Sequence, residues 1–401
     1  MSVPHILIVA GEASGDMHAA NLVKALHARR PEVRVSAMGG GALAAAGAEL
    51  LYDSARLAVV GLIEVLSHLG EILAARRRLV NFLTTQRPDL LILVDYPDFN
   101  LLLAAAARKL GIPVFYYISP QVWAWRQGRV RKIKRLVDRM AVILPFEQEF
   151  YRKRGMEVDF VGHPLVDELA GPAASIAEAG KAAHGLAPGD ERRIIGLLPG
   201  SRRREIAVML PLFLAAARIL ARGRQPAPIF LLPLAPGLDR EVLTAGGLDQ
   251  YGDLDIRISE HDRHGMMAAC HAVMAASGTV TLELALLGVP MVAAYRVSSF
   301  TYLVGRLLVD VPHATLVNLV AGREVIPELI QDRAEAALIG GEVAALLDNS
   351  QRRQTMLHDL AEVRQKLGRA GASQRAAAIA LELLDSAGRE EKAANHSRKP
   401  A

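Results

Sequence analysis

The sequence has one cysteine and no long apolar segment. Because Cys270 stands alone among 401 residues, no disulfide can form within the chain, which fits a reducing compartment. No run of about 18 uninterrupted apolar residues occurs, so we expect no segment that spans a bilayer. The N-terminus enters a strand-like apolar pattern at once, without the basic and long apolar regions of a signal peptide. These absences predict a protein that is cytoplasmic or bound peripherally to a membrane.

The sequence also lacks a standard nucleotide loop and a well-formed metal motif. The glycine-rich turn at residues 11–16 is neither GxGxxG nor a Walker A loop, because the Lys-Ser/Thr pair is missing. Asp253 and Asp255 form a DxD pattern, but they precede a predicted strand instead of following one. His261, Asp262 and His264 are close together, yet their loop supplies no further ligand. We therefore expect no catalytic metal and no cofactor.

The chain is basic, with a net charge of +5 and a pI near 9.4. This charge suits partners that bear phosphate, such as nucleotides or anionic lipids. The most basic segment, residues 126–139, has no interleaved aromatic residues and no recognisable nucleic-acid motif. Nucleic acid is therefore not expected as a partner.

Short apolar runs alternate with amphipathic helical patterns, which is typical of parallel sheets built from βαβ units. The predicted strands are residues 5–10, 33–38, 90–94, 114–117, 139–144, 158–160, 193–198, 228–232, 254–258, 272–275 and 290–294. An Ala/Gly/Pro-rich stretch between residues 162 and 190 marks a hinge. The sequence predicts an α/β protein with two doubly wound, Rossmann-like domains facing a central cleft. The predicted domains are residues 1–168 and, with terminal helices, 169–385, followed by a disordered polar tail, 386–401.

Two turns in the second half point to an anionic ligand. Residues 197–202 and 276–283 each follow a strand and open a helix, so each offers free backbone N–H groups. The residues concerned are Gly200, Ser201, Arg202, Ser277, Gly278 and Thr279. Glu283 lies one helical turn after Thr279, within reach of ribose hydroxyls. Either turn alone could be a helix cap without a ligand, but together they predict a seat for a nucleotide diphosphate.

The loops after strands of the first half carry carboxylates. Glu12 and Asp16 would repel a pyrophosphate, so a sugar or an acceptor hydroxyl suits the first loop better. The alternative is a turn in which Ser14 or Asp16 caps the helix. Asp98, in the stiff loop at residues 95–100, is a candidate general base, although it could instead cap the following helix.

Two further segments could meet lipid. Trp123 and Trp125 share one loop, where they would contact sugar faces or acyl chains, or fill a core. The basic segment that follows fits a phosphate or an anionic membrane surface, or a solvated helix face. An apolar stripe with helical spacing precedes Arg76-Arg77-Arg78 and predicts either a core-facing helix or one in a membrane interface. The stripe includes Leu62, Leu66, Leu69 and Leu73.

Seven segments, taken together, follow a known pattern. They are residues 11–16, 95–100, 119–125, 161–164, 198–202, 277–283 and 318–331. In order and spacing they resemble the lipid-A-disaccharide synthase family, glycosyltransferase family 19. The resemblance extends from about Ile6 to Leu384 and leaves only the polar tail outside.

The resemblance implies a GT-B glycosyltransferase that inverts the anomeric centre without a catalytic metal. Its substrates would be UDP-2,3-diacylglucosamine and 2,3-diacylglucosamine 1-phosphate (lipid X), joined through a β-1,6 bond with release of UDP. It would be a peripheral enzyme of the inner membrane, in contact with anionic lipids there. The oligomeric state stays open, with a homodimer as one alternative.

The resemblance also implies roles for individual residues. Asp98 would be the base, with Asp95 as the alternative, and Arg202 would stabilise the departing diphosphate together with the helix amides. Glu12 and Ser14 would orient the acceptor or the donor sugar. Asn318 and Gln331 would lie near the donor.

Two other functions remain as alternatives from the residues. A UDP-sugar epimerase would also explain Arg202, Ser277 and Glu283, but it would need neither an acyl-binding helix nor a basic patch beside paired tryptophans. A non-catalytic nucleotide sensor would bind UDP without turnover.

Overall fold

The structure is a computed structural model that describes residues 3–54, 69–187, 189–235, 237–297 and 311–396. The chain divides into two compact units. The first unit combines Met1–Asp167 with Gly368–Ala401, and the second is Glu168–Leu367. Each unit contains one parallel sheet.

The first unit is a doubly wound sheet. Its strands are β1 (His5–Ala10), β2 (Arg34–Gly39), β3 (Glu49–Asp53), β4 (Leu90–Val94), β5 (Val114–Tyr117), β6 (Arg139–Val142) and β7 (Asp159–Phe160). They pair in parallel in the order β3-β2-β1-β4-β5-β6-β7. Its helices are α1 (Ala13–Arg29), α2 (Gly41–Ala45), α3 (Leu69–Gln86), α4 (Pro97–Lys109), α5 (Val130–Leu136), α6 (Pro145–Arg152) and α7 (Leu165–Glu168).

Both faces of this sheet are buried, which explains its almost continuous apolar strands. Because side chains alternate along a strand, β1 contributes to two separate clusters. Ile6 and Ile8 pack in one cluster with Leu22 of α1. Leu7 and Val9 belong to the other, which also holds buried residues of α3, α4 and α5.

The second unit repeats this architecture. Its strands are β8 (Ile194–Leu198), β9 (Ile229–Pro233), β10 (Asp255–Ser259), β11 (Ala272–Ala276), β12 (Met291–Tyr295) and β13 (Glu328–Ile330). They pair in parallel in the order β10-β9-β8-β11-β12-β13. Its helices are α8 (Ala173–Ala183), α9 (Arg203–Ala221), α10 (Glu241–Ala245), α11 (Arg263–Ala269), α12 (Val280–Leu287), α13 (Leu316–Ala321), α14 (Ala336–Asp348) and α15 (Ser350–Lys366). The prediction of two doubly wound α/β domains is confirmed.

The C-terminal segment differs from the prediction. The last helix, α16 (Ala372–His396), packs on the first unit instead of the second, because its buried Ala376, Ala377 and Ala380 join the cluster of β1 and α1. The predicted second domain therefore ends at Leu367 rather than 385. The expected disordered tail is corrected for residues 386–396, which continue this helix, while residues 397–401 lie outside the described part.

Candidate functional site

A cavity lies at the carboxyl end of the second sheet, where the strand order reverses. The chain runs from β8 through β9 to β10, then returns to β11 on the other side of β8. Ligands of open α/β sheets bind at such a switch point. The cavity has a volume of about 300 Å³. It brings together seven of the nine residues predicted to bind substrate, namely Gly200, Ser201, Arg202, Ser277, Gly278, Thr279 and Glu283.

The start of α12 leaves backbone N–H groups unsatisfied beside this cavity. Among the described residues, the N–H groups of Gly278, Thr279 and Val280 find no acceptor, and all three residues line the cavity. The Ser277 hydroxyl donates to the carbonyl of Ala314 at 2.9 Å, which fixes the turn. Because a helix N-terminus carries partial positive charge, an anionic group is favoured here.

The other predicted turn is closed by a side chain of the protein. The Glu205 carboxylate accepts the backbone N–H groups of Ser201 at 3.1 Å and Arg202 at 3.3 Å. Gly200 has a φ of +116°, and a Cβ at this position would lie 2.7 Å from that of Glu205. The expectation of free N–H groups is therefore corrected at this turn, because Glu205 caps α9. The Arg202 guanidinium, 3.1 Å from Glu205, remains exposed at the cavity.

Glu283 is buried at the cavity and held by two basic side chains. Its Oε2 accepts a hydrogen bond from Nη2 of Arg263 at 2.6 Å and lies 3.1 Å from Nε2 of His264. Sequence analysis missed Arg263 and considered His264 only as a metal ligand. Both residues follow β10 at the carboxyl end of the sheet, and this position could have indicated a place at the cavity. A carboxylate fixed in this way can accept hydrogen bonds from vicinal hydroxyls of a ligand.

Asn318 and Gln331 differ from the other predicted donor residues, because their side-chain amides form hydrogen bonds within the protein. Oδ1 of Asn318 accepts two backbone N–H groups at 2.8 and 3.1 Å, and its Nδ2 donates to Ile326 O and Glu328 Oε1 at 3.0 and 2.8 Å. The Gln331 amide pairs with the backbone N–H and C=O of Val297 at 2.7 and 3.1 Å. Neither residue is among the described residues that line the cavity. Their direct contact with a donor is therefore corrected to a structural role.

The first sheet has its own switch point, between β1 and β4. Glu12 and Ser14 are exposed at the start of α1, beside the loop that follows β4. The two loops touch closely, since a Cβ on Gly11 would lie 2.3 Å from the Tyr96 ring. Only glycine at residue 11 fits this approach.

Asp16 is structural, but not in the way considered from the sequence. Its carboxylate accepts the backbone N–H groups of Gly40 at 2.7 Å, Ala42 at 3.0 Å and Leu43 at 3.3 Å. It therefore caps α2 and connects that helix to α1. No hydrogen bond from Ser14 or Glu12 to the N-terminus of α1 is present in the described structure, so both polar side chains remain available to a ligand.

Asp95 lies in a strained loop directly after β4. Burial, with the neighbouring Glu12 carboxylate, raises the pKa of the Asp95 carboxyl to about 6. Asp95 and Tyr96 have φ values of +47° and +45°. The Tyr116 hydroxyl and the Asn100 amide hold the Asp95 carbonyl at 2.5 and 2.7 Å. Two consecutive non-glycine residues in the left-handed region cost of order 1–3 kcal/mol each, and such strain is concentrated at functional sites.

Asp98, the candidate base predicted from the sequence, has a different environment. It lies in the first turn of α4, is exposed, and accepts a hydrogen bond from Nη2 of Arg129 at 2.5 Å. Nη1 of Arg126 lies 3.9 Å from the same oxygen. Both guanidinium groups thus engage Oδ1 of Asp98, whereas the Asp95 carboxyl forms no ion pair in the described structure.

The two tryptophans have different surroundings. Trp123 is buried and packs edge-on against Phe146, with ring centroids 5.0 Å apart, so its predicted acyl contact is corrected to a core role. Trp125 is exposed and lies under the Arg126 guanidinium, 4.2 Å from the ring centroid.

The predicted apolar stripe is only partly covered by the structure. Leu62 and Leu66 lie outside the described residues, as does the side chain of Leu69. Leu73 is described in α3 and is 39% exposed. Arg76, Arg77 and Arg78 follow it and are also exposed.

Two features are absent from the described residues. No helix there is both long and apolar enough to span a membrane. No group of three or more His, Cys, Asp or Glu side chains is arranged to bind a metal ion in that part of the chain. Of the residues weighed from the sequence, Asp262 caps α11 through the Gly265 N–H at 3.0 Å, and Asp253 and Asp255 pair with arginines.

Comparisons with known proteins point in one direction. The family model described as lipid-A-disaccharide synthetase matches residues 6–383. A lipid-A-disaccharide synthase of Geobacter metallireducens is 50% identical over 383 residues, which cover 94% of this chain and 97% of that protein. UDP-GlcNAc 2-epimerase from Neisseria meningitidis bound to UDP-GlcNAc has a TM-score of 0.66 at 15% identity, covering 94% of this chain and 100% of that one.

A second solved structure, the glycosyltransferase of kitacinnamycin, has a TM-score of 0.65 at 16% identity and covers 96% of this chain and 100% of that one. At these identities the structural similarity establishes the fold alone. With the two doubly wound sheets, it confirms the GT-B fold class.

Proposed function

Because the chain belongs to the lipid-A-disaccharide synthase family and is a glycosyltransferase of lipid A biosynthesis, we propose that it joins UDP-2,3-diacylglucosamine to 2,3-diacylglucosamine 1-phosphate. The acceptor 6-hydroxyl oxygen attacks the anomeric carbon, and the bond from that carbon to the UDP oxygen breaks. One displacement inverts the anomeric centre and gives a β-1,6 bond. The hydroxyl proton passes to a base, and UDP leaves with the bonding electrons.

The observation that carries this proposal is the cavity at the switch point of the second sheet. The unsatisfied N–H groups of Gly278 and Thr279 suit the diphosphate, and the exposed Arg202 guanidinium would neutralise the charge that develops on leaving UDP. Glu283, held by Arg263, would accept the ribose hydroxyls. The epimerase of the same fold is bound to UDP-GlcNAc, which supports a UDP-sugar as the donor.

For the base we propose Asp95 in place of Asp98. A general base works best when its pKa is near the operating pH, and the Asp95 carboxyl has a pKa of about 6. Asp98 instead pairs with Arg129 through Oδ1, so that oxygen already has a hydrogen-bond partner. Glu12 and Ser14, on the neighbouring loop, would orient the acceptor.

The substrates carry acyl chains, so we place the enzyme peripherally on the inner membrane. Exposed Leu73, followed by three exposed arginines, supports contact with an anionic lipid surface. No step of the proposed mechanism requires a metal, because Arg202 and the helix amides provide the positive charge. Activity is accordingly expected to survive an excess of EDTA.

The decisive experiment measures UDP release with purified protein and UDP-2,3-diacylglucosamine. Release should require 2,3-diacylglucosamine 1-phosphate, and the product should be a tetraacyl disaccharide 1-phosphate with a β-1,6 bond. UDP release that is independent of the acceptor, or UDP binding without turnover, would contradict the proposal. Conversion of a UDP-sugar into its epimer without an acceptor would instead support an epimerase, the alternative that shares this fold.

A further inference from the structure

Two arginines converge on one exposed carboxylate beside the proposed base. Oδ1 of Asp98 accepts a hydrogen bond from Nη2 of Arg129 at 2.5 Å and lies 3.9 Å from Nη1 of Arg126. The Asp98 side chain is 73% exposed, so water alone could solvate it. One carboxylate against two guanidinium groups leaves a net positive charge at this place.

The loop that carries these arginines holds them in position. Arg126 has a left-handed backbone, with φ 56° and ψ 39°, and its guanidinium stacks on Trp125. Arg129 is only 23% exposed. Gln127 donates to the carbonyl of buried Trp123 at 3.4 Å. Because these side chains are already ordered, they lose little conformational entropy on binding an anion.

The neighbouring sequence adds cations and no acid. Residues 126–135 contain six basic residues and no Asp or Glu. They are Arg126, Arg129, Arg131, Lys132, Lys134 and Arg135. Within the described ranges, Asp98 is the one carboxylate in ion-pair distance of any of them. The surface is therefore short of negative charge where the two arginines meet.

We propose that Arg126 and Arg129 bind the phosphate of the acceptor sugar 1-phosphate, while Asp98 turns outward to solvent. This inference rests on the proposed function. A phosphate offers more charge and more acceptor oxygens than a carboxylate, and arginine binds it with two parallel hydrogen bonds. Asp98 therefore holds the arginines in position until phosphate replaces it.

The spacing along the chain allows such a substrate. Asp95 and Asp98 are three residues apart, so their Cα atoms are separated by at most about 11 Å. This limit keeps the two groups close enough for one hexose phosphate to contact both. Its 6-hydroxyl then reaches Asp95 while its 1-phosphate meets the arginines, so the same contacts select the substrate and orient its nucleophile.

The test compares two acceptors, 2,3-diacylglucosamine 1-phosphate and 2,3-diacylglucosamine, in neutral detergent micelles. The wild-type protein should prefer the phosphorylated acceptor in kcat/KM by at least about tenfold, as expected for charged hydrogen bonds. Arg129→Met should lose most of this preference through a higher acceptor KM, with the donor KM unchanged.

Arg126→Met should reduce the preference in the same way. Because the Arg126 side chain is half-exposed, its replacement should leave folding intact. Asp98→Asn should lower the KM of the phosphorylated acceptor, because it removes the competing carboxylate.

Arg108→Met is the matched control. Arg108 lies at the C-terminal end of α4, the helix that carries Asp98 in its first turn. It forms a different Arg–Asp pair, with Asp138 at 2.6 Å. The preference for the phosphorylated acceptor should be unchanged in this variant, and an equal loss there would overturn the inference.

The same arginines could instead bind the phosphate of a membrane phospholipid. Vesicle binding distinguishes a phospholipid phosphate from the phosphate of the acceptor sugar. If Arg126→Met and Arg129→Met keep the acceptor preference but bind anionic phosphatidylglycerol vesicles more weakly, the arginines serve the membrane and the inference is wrong. Wild-type protein that is inactive with both acceptors would overturn the proposed function itself. Transfer without any phosphate preference would overturn only this inference.

Discussion

Asp95 and Asp98 are three residues apart, yet their different environments predict different kinetic effects. Asp95→Asn should reduce turnover by at least about a hundredfold, the usual loss for a missing general base, and leave UDP affinity unchanged. Because the base must be deprotonated and has a pKa of about 6, wild-type kcat/KM should fall as the pH drops below that value. Asp98→Asn should retain turnover and this pH dependence. The opposite pattern in the two variants would return the base to Asp98.

The donor cavity predicts a division of roles between Glu283 and Arg202. Glu283→Gln should chiefly raise the donor KM, because it weakens the acceptor for ribose hydroxyls and the contact with Arg263. Arg202→Ala should chiefly lower kcat, since its charge matters most as the diphosphate departs. Steady-state kinetics and UDP calorimetry measure both effects. Unchanged UDP binding in Glu283→Gln would remove the ribose assignment.

Glu147 predicts how the stability of the first unit depends on pH. Burial raises the pKa of its carboxyl to about 8, against the hydrogen bonds from the backbone N–H groups of Leu144 and Ile143. Between about pH 4.5 and 8 the folded protein therefore holds a proton that the unfolded chain has lost. Unfolding free energy should fall as pH rises through this range, by up to about 1.4 kcal/mol per pH unit.

Glu147→Gln should abolish that decline between about pH 7 and 8, above the range in which Asp95 and the histidines titrate, because the amide keeps an acceptor for the N–H groups and does not titrate. Both tryptophans lie in the first unit, so their fluorescence during urea unfolding reports on this unit. Glu149→Gln, on the exposed face of the same helix, is the control and should keep the decline. An equal decline in Glu147→Gln would show that another group causes it.

The residues at the cavity of the second unit could be predicted where the chemistry is local. Gly200, Ser201 and Ser277 follow strands within three residues, and that position is visible in the sequence. The use of Asn318 could not be predicted, because its four hydrogen bonds depend on a loop that returns to the same place. The capping by Glu205 was likewise hidden, since a carboxylate one turn into a helix can either cap it or face a ligand.

At the scale of elements, buried strands were the easiest to predict. All eleven predicted strands are present, and nine of them lie inside their sheets, where strands with both faces covered form continuous apolar runs. The two missed strands, β3 and β13, lie at the edges of their sheets. Edge strands are partly exposed and short, so their sequences carry neither a long apolar run nor a clear alternation.

The last helix of the chain was assigned to the wrong unit for a related reason. The small apolar face of α16 shows that the helix is packed, but nothing in the sequence says which sheet it covers. Its buried residues join the cluster that holds Ile6 and Leu22. The bidentate ion pair between Asp385 and Arg30 of the first unit, at 2.9 and 3.0 Å, adds a specific contact.

This packing predicts that α16 stabilises the first unit selectively. Ala377→Asp places an unpaired carboxylate at a fully buried position and should cost several kcal/mol. Tryptophan fluorescence should show unfolding at lower urea concentration, whereas UDP binding by the second unit should persist. Gln374→Asp introduces the same group at an exposed position of the helix and should change neither. Loss of UDP binding in Ala377→Asp with normal tryptophan unfolding would assign the helix to the second unit.

At the scale of the whole molecule, the proposed function assigns different chemistry to the two units. The second unit offers unsatisfied N–H groups and Arg202, which suit a nucleotide diphosphate. The first unit offers Asp95 and Glu12, which suit a hydroxyl group. Each set lies at the switch point of its own sheet, so the proposed function assigns the donor to one unit and the acceptor to the other.

The proposed lipid substrates add a further requirement, since their acyl chains would be reached at a bilayer surface. We expect reversible binding to phosphatidylglycerol vesicles that weakens as salt rises, because each basic residue near the surface contributes about 1 kcal/mol and is screened within a Debye length. Leu73→Ser should weaken vesicle binding severalfold and leave UDP binding and unfolding unchanged, because the Leu73 side chain is already exposed.

Leu79→Ser, on the same helix, is the contrasting variant because Leu79 is fully buried. It should lower the urea midpoint of the first unit, since the lost burial is worth about 2 kcal/mol or more, without a specific effect on vesicles at temperatures where the protein is folded. If Leu73→Ser behaves like Leu79→Ser, Leu73 contributes to the stability of the first unit instead of to membrane contact. Membrane attachment would then depend on the basic segment alone, and high salt should release the protein from vesicles completely.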